Sequence, residues 1–289
     1  MILQARTRSI RFPRRPLVMG IVNLTDDSFS GDGTLEVDAA LRHARTLVRQ
    51  GADIIDVGGE TARANREPIV EPEEIRRMIP FIQRFPETYE GVMAVDDQQV
   101  FPPLLSVNTW RPGVAWAVLA AGGDLLNDMS ALPSDENARV AAATGAALVI
   151  MHSVGLPKQP HTHVQYPNVM QALHQFFEAK ISEAMRGGVN ADAIILDPGI
   201  DFAKQKTDNL RILRELESLQ VFGRPVLLPV SRKTVLGETL GIPDPKDRDA
   251  ATIACVVAGI LRGAAIFRVH NVHATSQAVR VVWAVTGAG

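Results

Sequence analysis

The chain alternates eight short apolar runs with amphipathic segments from end to end. Each run is almost continuously hydrophobic, which is typical of strands that are buried on both faces of a parallel sheet. The segments between the runs have helical spacing of their apolar residues, and several end in a glycine that can cap a helix. The runs cover residues 17–23, 52–59, 103–109, 124–130, 146–153, 193–199, 225–231 and 265–272. Eight such units predict a (β/α)8 TIM barrel, with a doubly wound open sheet as the alternative.

The length of 289 residues fits one barrel domain. We predict that residues 17–289 form the barrel and that residues 1–16, which are basic, form an N-terminal extension that packs on it. No G-x-G-x-x-G motif follows the first run, and this favours the barrel over an open dinucleotide-binding sheet.

Charge, apolar stretches and cysteine content indicate which partners and which cellular compartment to expect. A net charge of −2 gives no electrostatic reason to expect a nucleic acid partner. The N-terminal residues lack the apolar stretch of a signal peptide, and no run reaches the roughly 18 apolar residues of a membrane helix. A single cysteine, Cys255, excludes both a disulfide framework and a cysteine metal cluster. We therefore predict a cytoplasmic protein that binds no membrane.

Polar side chains stand at the C-terminal end of all eight runs. One polar residue at a strand end is as often a helix cap as a functional group. Eight at one rim predict an active site, because barrel enzymes build their sites from these ends and the loops that follow. The residues are Asn23; Asp56, Glu60, Thr61 and Arg63; Ser106, Asn108 and Thr109; Asn127 and Asp128; His152; Asp197; Ser231, Arg232 and Lys233; and Arg268 and His270.

These rim residues divide into two chemical groups. The first combines amides, a carboxylate and a lysine, and consists of Asn108, Asn127, Asp197 and Lys233. Such a set can bind the edge of a flat heterocycle, because the carboxylate accepts from a ring N–H and an amine while the amides reach other ring nitrogens. The second group is mostly basic, and consists of Asn23, Arg63, Arg268 and His270. It predicts an anion site near the first and last strands, where barrel enzymes often bind phosphate.

The order and spacing of the motifs resemble the dihydropteroate synthase family over almost the whole chain. The matching stretches are MGIVNLTDDSFS, GADIIDVGGET, LLSVNT, LLNDMSA, VIMHS, ILDPGIDF, VSRKTVLG and FRVHNV. The resemblance implies a TIM barrel, usually a homodimer, that acts as a transferase in folate biosynthesis and is a target of sulfonamides. Its implied reaction joins 6-hydroxymethyl-7,8-dihydropterin diphosphate to 4-aminobenzoate and releases diphosphate.

The resemblance also implies a role for each matching residue. It assigns pterin binding to Asn108, Asn127, Asp197, Lys233 and Arg232. It assigns diphosphate binding to Asn23, Thr61, Arg63, Arg268 and His270, and aminobenzoate binding to Ser231 and Phe202. Mg²⁺ is the implied cofactor, with Asn23 as its protein ligand. The implied catalytic residues are Asp197, Lys233, Arg268 and His270, with loops 25–33 and 61–70 closing over the substrates.

Three single positions and one short stretch depart from the family pattern. Asn108 and Asn271 each replace an aspartate, Asp201 replaces a common glycine, and residues 61–64 read TARA in place of Ser-Thr-Arg-Pro. Two other functions therefore stay open: a pterin-binding methyltransferase that transfers a methyl group to protein-bound cobalt, and a non-catalytic paralogue that binds pterin. The methyltransferase needs no anion clamp, so the basic stretches SRK and RVH favour the synthase over it.

Overall fold

The computed structural model of the protein describes residues 1–26, 33–61, 66–159 and 164–287. The strands are β1 (Ile2–Ala5), β2 (Arg8–Arg11), β3 (Leu17–Asn23), β4 (Ile54–Gly58), β5 (Leu104–Asn108), β6 (Leu125–Asp128), β7 (Ala147–Met151), β8 (Ile194–Asp197), β9 (Leu227–Leu228) and β10 (Ile266–Val269). The α-helices are α1 (Val37–Arg49), α2 (Glu71–Arg84), α3 (Pro112–Ala121), α4 (Glu136–Thr144), α5 (Val169–Arg186), α6 (Lys206–Arg214), α7 (Thr234–Leu240), α8 (Asp249–Leu261) and α9 (Val272–Val285). Among these described helices, none has the length and apolarity that a membrane span requires.

Strands β3 to β10 form one parallel sheet in the order β8-β7-β6-β5-β4-β3-β10-β9. The sheet closes on itself where the amide of Leu196 donates to the carbonyl of Pro225 at 3.0 Å, beside a parallel bridge between Leu196 and Val226. Helices follow the strands around the outside. The predicted TIM barrel is thus confirmed.

The barrel strands are buried on both faces, which explains their continuous apolar runs. Side chains such as Met19, Ile55 and Phe267 are fully buried. Burying one such side chain stabilises the fold by roughly 1.5–3 kcal/mol. Helix α1 contributes Leu41, Ala44, Leu47 and Val48 to the same core at helical spacing. The apolar period of each segment therefore sets which face it buries.

The N-terminal residues and a long αβ connection lie at the N-terminal ends of the barrel strands. Strands β1 and β2 form an antiparallel hairpin whose Leu3 and Ile10 are buried. The amide of Arg6 donates to the carbonyl of Gly145 at 2.7 Å, just before β7. In the connection before β5, Gln99 donates its side-chain amide to the carbonyl of Ala52 at 2.9 Å. Among the described residues, the polar ones predicted for the site lie at the opposite rim, at the C-terminal ends of the strands.

Candidate active site

One cavity of about 260 Å³ opens at the C-terminal rim of the barrel. Ten of the twelve residues to which the resemblance assigned a role line it: Asn23, Thr61, Asn108, Asn127, Asp197, Phe202, Ser231, Lys233, Arg268 and His270. They come from seven of the eight barrel units, and the parallel sheet brings the ends of these strands to one place. We call Asn108, Asn127, Asp197 and Lys233 the ring corner, and Asn23, Thr61, Arg268 and His270 the anion corner.

Asp56, a fully buried residue of β4, connects the two corners beneath the cavity. Its carboxylate accepts from Ser106 Oγ at 2.5 Å and from Asn127 Nδ2 at 3.2 Å. It also accepts from Arg268 Nε at 2.7 Å. The Arg268 side chain is 22% exposed, so its charge is shared between Asp56 and the cavity. One carboxylate thereby orients an amide of the ring corner and the arginine of the anion corner.

Two amide oxygens of the ring corner are buried and unpaired. Asn108 Oδ1 and Asn127 Oδ1 have no hydrogen-bond partner among the described residues. Their Nδ2 groups are directed elsewhere, that of Asn127 to Asp56 and that of Asn108 to the sulfur of Met129 at 3.6 Å. An unpaired buried acceptor is unfavourable unless a donor arrives. The pair is therefore suited to a ligand that presents N–H groups.

Asp197, at the end of β8, is held in place by the loop that follows. Its carboxylate accepts from the amide of Gly199 at 2.7 Å, and burial raises its pKa to about 6. Gly199 has a φ of +68°, and a Cβ there would lie 1.9 Å from the carbonyl oxygen of His152. Only glycine therefore fits this turn without moving the chain. The result is a carboxylate that is charged at neutral pH and has few donors of its own.

Lys233 brings a half-buried ammonium group to the ring corner. Its Nζ lies 4.5 Å from the ring centroid of Phe202, a cation–π distance. Burial lowers the pKa of Lys233, whereas the nearby carboxylates of Asp201 and Asp197 raise it. The lysine can donate to an acceptor on a bound ring, while Phe202 offers an apolar face beside it.

His152 and Lys204 form a buried pair next to Asp197. Lys204 Nζ lies 2.9 Å from His152 Nδ1 and 2.9 Å from the carbonyl of Phe202. Burial lowers the pKa of Lys204 to about 7 and that of His152 to about 3, so the imidazole is neutral. Neither residue lines the cavity. The pair holds the end of β7 against the loop after β8.

The anion corner joins residues of β3, the loop after β4, and β10. His270 Nδ1 lies 2.8 Å from Ser231 Oγ, and the amide of His270 donates to the same hydroxyl at 3.1 Å. Ser231, which the resemblance assigned to aminobenzoate, is therefore also the group that orients the histidine. Arg63, predicted for this corner, lies outside the described residues.

Thr61 is held by ion pairs at the base of its loop. Glu60 accepts from Lys158 at 2.9 Å and from Arg111, which also binds the buried Glu74. Lys158 Nζ donates in turn to the carbonyl of Thr61 at 3.2 Å. This cluster fixes the first residue of the loop at the edge of the cavity.

Arg232 is the residue of the assigned pterin-binding set that the structure places apart from the others. It does not line the cavity, and its guanidinium binds Asp249 through Nε at 2.7 Å and Nη2 at 3.1 Å. The backbone φ of +59° at Arg232 and this ion pair direct the side chain toward α8. Asn271 donates to the same carboxylate at 3.0 Å, which an aspartate at this position could not do.

Several cavity residues were not assigned a role from the sequence. Met129, Met151, Asp201 and Thr234 line the cavity, and the resemblance gave no role to these residues or to Asp56 beneath it. The sequence placed Asp56 among the rim residues, and its charge within an apolar run is the signal that could also have indicated a functional role. The two methionines end or follow their strands and had no such signal.

Comparisons with known proteins agree with this geometry. The family described as pterin binding enzyme matches residues 19–270. The dihydropteroate synthase of Synechocystis sp. is 38% identical over 270 residues, which cover 93% of this chain and 89% of that protein. Among solved structures, Yersinia pestis dihydropteroate synthase in a sulfonamide complex is 34% identical, with full coverage of both chains and a TM-score of 0.88. Xanthomonas albilineans dihydropteroate synthase with 4-aminobenzoic acid is 35% identical, covers 94% of this chain and 93% of that one, and has a TM-score of 0.82.

Proposed function

Because this chain belongs to the pterin-binding enzyme family, we propose that it catalyses the dihydropteroate synthase reaction. In that reaction 6-hydroxymethyl-7,8-dihydropterin diphosphate and 4-aminobenzoate give 7,8-dihydropteroate and diphosphate. The observation that carries the proposal is one cavity with two corners, one with unpaired buried acceptors and one with the guanidinium of Arg268, both oriented by Asp56.

The ring corner matches the donor pattern of a pterin. Asp197 accepts from a ring N–H and the exocyclic amine together, a bidentate and charge-assisted pair. The unpaired oxygens of Asn108 and Asn127 accept further N–H groups, and Lys233 donates to the ring oxygen or nitrogen. Each donor and acceptor of the corner then has a partner, which removes the unfavourable burial of the free amides.

The anion corner stabilises the leaving group. When the C–O bond of the pterin methylene breaks, diphosphate takes the bonding electrons and positive charge spreads over the pterin ring. Arg268 and His270 line this corner of the cavity, and a fixed guanidinium with a neighbouring imidazole in a partly buried site stabilises the developing negative charge without reorganisation.

Mg²⁺ fits the donor set as a companion of the diphosphate. Asn23 contributes one amide oxygen, and no cluster of three histidine, cysteine or acidic side chains suited to a metal occurs in the described part of the chain. Mg²⁺ commonly keeps several waters and binds through one or two protein ligands together with substrate phosphates. Bound there, it would supply positive charge to the leaving group, with Asn23 as the protein ligand.

The second substrate would lie between Phe202 and Ser231, at the side of the cavity next to Lys233. Xanthomonas albilineans dihydropteroate synthase, similar in fold and sequence, has been crystallised with 4-aminobenzoic acid. The arylamine nitrogen attacks the methylene carbon, forms the C–N bond with its lone pair and then releases one proton. A neutral amine needs orientation more than deprotonation, and the cavity walls provide that orientation.

We also propose that the protein is a cytoplasmic homodimer. Leu261 of α8 and Val281 and Val285 of α9 are 61–80% exposed and lie toward the C-terminal ends of two neighbouring helices. Such an apolar surface is typical of an interface. Light scattering should report a dimer, and Val281→Glu should shift it toward the monomer.

The unpaired Cys255 is compatible with a reducing compartment.

A coupled assay for diphosphate release tests the main proposal. Release should depend on the pterin diphosphate, 4-aminobenzoate and Mg²⁺ together. Pterin binding without release would support the non-catalytic paralogue, and methyl transfer to a cobalt carrier would support the methyltransferase.

Arg268→Ala should weaken diphosphate binding while leaving binding of the dephosphorylated pterin alcohol nearly unchanged. Loss of both would contradict the division into two corners.

A further inference from the structure

Asp201 lies in the cavity wall with an unusual backbone conformation. Its φ is +66°, in the left-handed region that favours glycine and, among other residues, asparagine and aspartate. Three donors hold its carboxylate: the amides of Thr234 and Val235 and, at 3.2 Å, Asn209 Nδ2. The backbone amide of Asp201 donates to Asn209 Oδ1 at 2.9 Å, so the residue is fixed from both sides.

These contacts join two loops that each carry a residue of the ring corner. Asp201 follows Asp197 by four residues, in the loop after β8, while Thr234 and Val235 directly follow Lys233. The carboxylate therefore fastens the chain beside Lys233 to the loop that carries Asp197. Both Asp201 and Lys233 line the cavity.

Four charged groups face the Lys233 ammonium. The carboxylates of Asp201 and Asp197 oppose the effect of burial on the pKa of Lys233, and Arg268 acts in the same direction as burial. Lys204 is the fourth group, a second ammonium close enough to Lys233 to repel it. Lys233 is thus surrounded by two carboxylates and by two other basic groups, Arg268 and Lys204, and Asp201 is the carboxylate with no proposed contact to substrate.

We propose that Asp201 is a positioning residue for Lys233: it fastens the lysine to the Asp197 loop and balances the lysine's charge at the pterin ring. The inference rests on the proposed function only in taking pterin as the ligand of Lys233. Because Thr234, Val235 and Asn209 already hold its carboxylate, the effect of Asp201 is exerted through the position and protonation of Lys233 rather than by contact with a substrate.

Two substitutions separate charge from geometry. Asp201→Asn keeps an acceptor oxygen for the α7 amides but removes the charge, while Asp201→Gly removes both and suits the positive φ. Asp244→Asn is the matched control, because Asp244 also caps a short helix, accepting from the amide of Lys246 at 2.9 Å, and does not line the cavity. All three variants and the unmodified protein are titrated with 6-hydroxymethylpterin by calorimetry between neutral and alkaline pH.

In the unmodified protein, pterin affinity should fall at alkaline pH as Lys233 loses its proton. In Asp201→Asn and Asp201→Gly this fall should move to lower pH by about one unit, the size expected when a neighbouring opposite charge is removed. Asp201→Gly should in addition weaken binding at neutral pH, because the loop loses its fastening. Asp244→Asn should match the unmodified protein.

The role of Asp201 would be overturned if the unmodified protein binds pterin and its affinity falls at the same alkaline pH in Asp201→Asn. The proposed function would still stand in that case. Absence of pterin binding in the unmodified protein would instead refute the proposed function and this role with it. A shift of equal size in Asp244→Asn would also overturn the inference, because the effect would then be a general one of lost helix caps.

Discussion

Asp53 and Asp56 are both fully buried and lie three residues apart along the chain, yet their partners differ in kind. Asp53, at the N-terminal end of β4, accepts from the amides of Val18 and Val100 and from the guanidinium of Arg15, which is 2% exposed. Among the described residues, Asp56, which lies nearer the cavity, accepts hydrogen bonds only from side chains. The partners of Asp53 are buried groups that stabilise the fold and take no part in the cavity. Two of the partners of Asp56, Asn127 and Arg268, line the cavity, so a buried carboxylate serves stability at one end of β4 and function at the other.

The largest expected effect is the loss of stability in Asp53→Ala. Removing this carboxylate leaves two buried amides without an acceptor, and leaves Arg15 with Asp96, at 3.3 Å, as its remaining acidic partner. Breaking a buried ion pair by removing one partner destabilises a protein by about 3–5 kcal/mol. Urea unfolding should show this loss, while pterin affinity measured on the folded protein should stay unchanged. If Asp53→Ala loses as much pterin affinity as a variant of a cavity residue, then Asp53 and Asp56 do not differ in function.

Asp56→Asn should give the opposite pattern. The amide keeps one acceptor oxygen, and the partly exposed Arg268 can reach water, so the free energy of unfolding should fall by only about 1 kcal/mol. Because the variant no longer fixes both Asn127 and Arg268, kcat/KM should fall about 100-fold, or roughly 3 kcal/mol of transition-state stabilisation. Urea unfolding and initial rates on the same preparation test both parts. A rate close to that of the unmodified protein would mean that the corners are oriented independently of Asp56.

Asp197→Asn should stabilise the fold while it removes pterin binding. Burial raises the folded-state pKa of Asp197 to about 6, above its ordinary value of 3.8, so folding disfavours the charged form. The unfavourable contribution is absent below pH 3.8, grows as pH rises between 3.8 and 6, and is complete above 6. The variant should therefore be more stable by about 1–3 kcal/mol at pH 8, and nearly equal to the unmodified protein near pH 4. Thermal unfolding at both pH values measures the difference. If Asp197→Asn is less stable than the unmodified protein at pH 8, then the Asp197 carboxylate stabilises the fold as that of Asp53 does.

The barrel and most of its rim could be predicted because they depend on local patterns. A continuous apolar run reports a strand buried on both faces, and the first polar residue after it reports where the strand ends. The partners of Asp56 could not be read in this way, since Ser106, Asn127 and Arg268 lie on three other strands. The direction of the Arg232 side chain could not be read from the sequence for a similar reason, since it depends on a positive φ and on Asp249, which lies 17 residues further along the chain.

The smallest expected effect concerns Asn108, the ring-corner residue that departs from the family pattern. Its Nδ2 contacts the sulfur of Met129, and its Oδ1 has no partner within the described residues. An aspartate here would be buried without a donor, which raises its pKa in the free protein. The same charge would stabilise the positive pterin that forms as diphosphate leaves. Only interactions that strengthen in the transition state increase the rate, so Asn108→Asp should raise kcat up to about tenfold, or about 1.4 kcal/mol.

This gain in Asn108→Asp should be larger at pH 8 than at pH 6, because only the ionised carboxylate stabilises the cation. Pterin affinity should change less than kcat, since Asn127, Asp197 and Lys233 still bind the ring. Asn127→Asp is the matched control: Asn127 Nδ2 donates to Asp56, and a second carboxylate there would repel the first, so its kcat should fall. Initial rates at saturating substrate and calorimetry with the pterin measure both variants. If Asn108→Asp lowers kcat at both pH values, then the amide contributes as a donor, and the ring corner of this chain is built around asparagine rather than weakened by it.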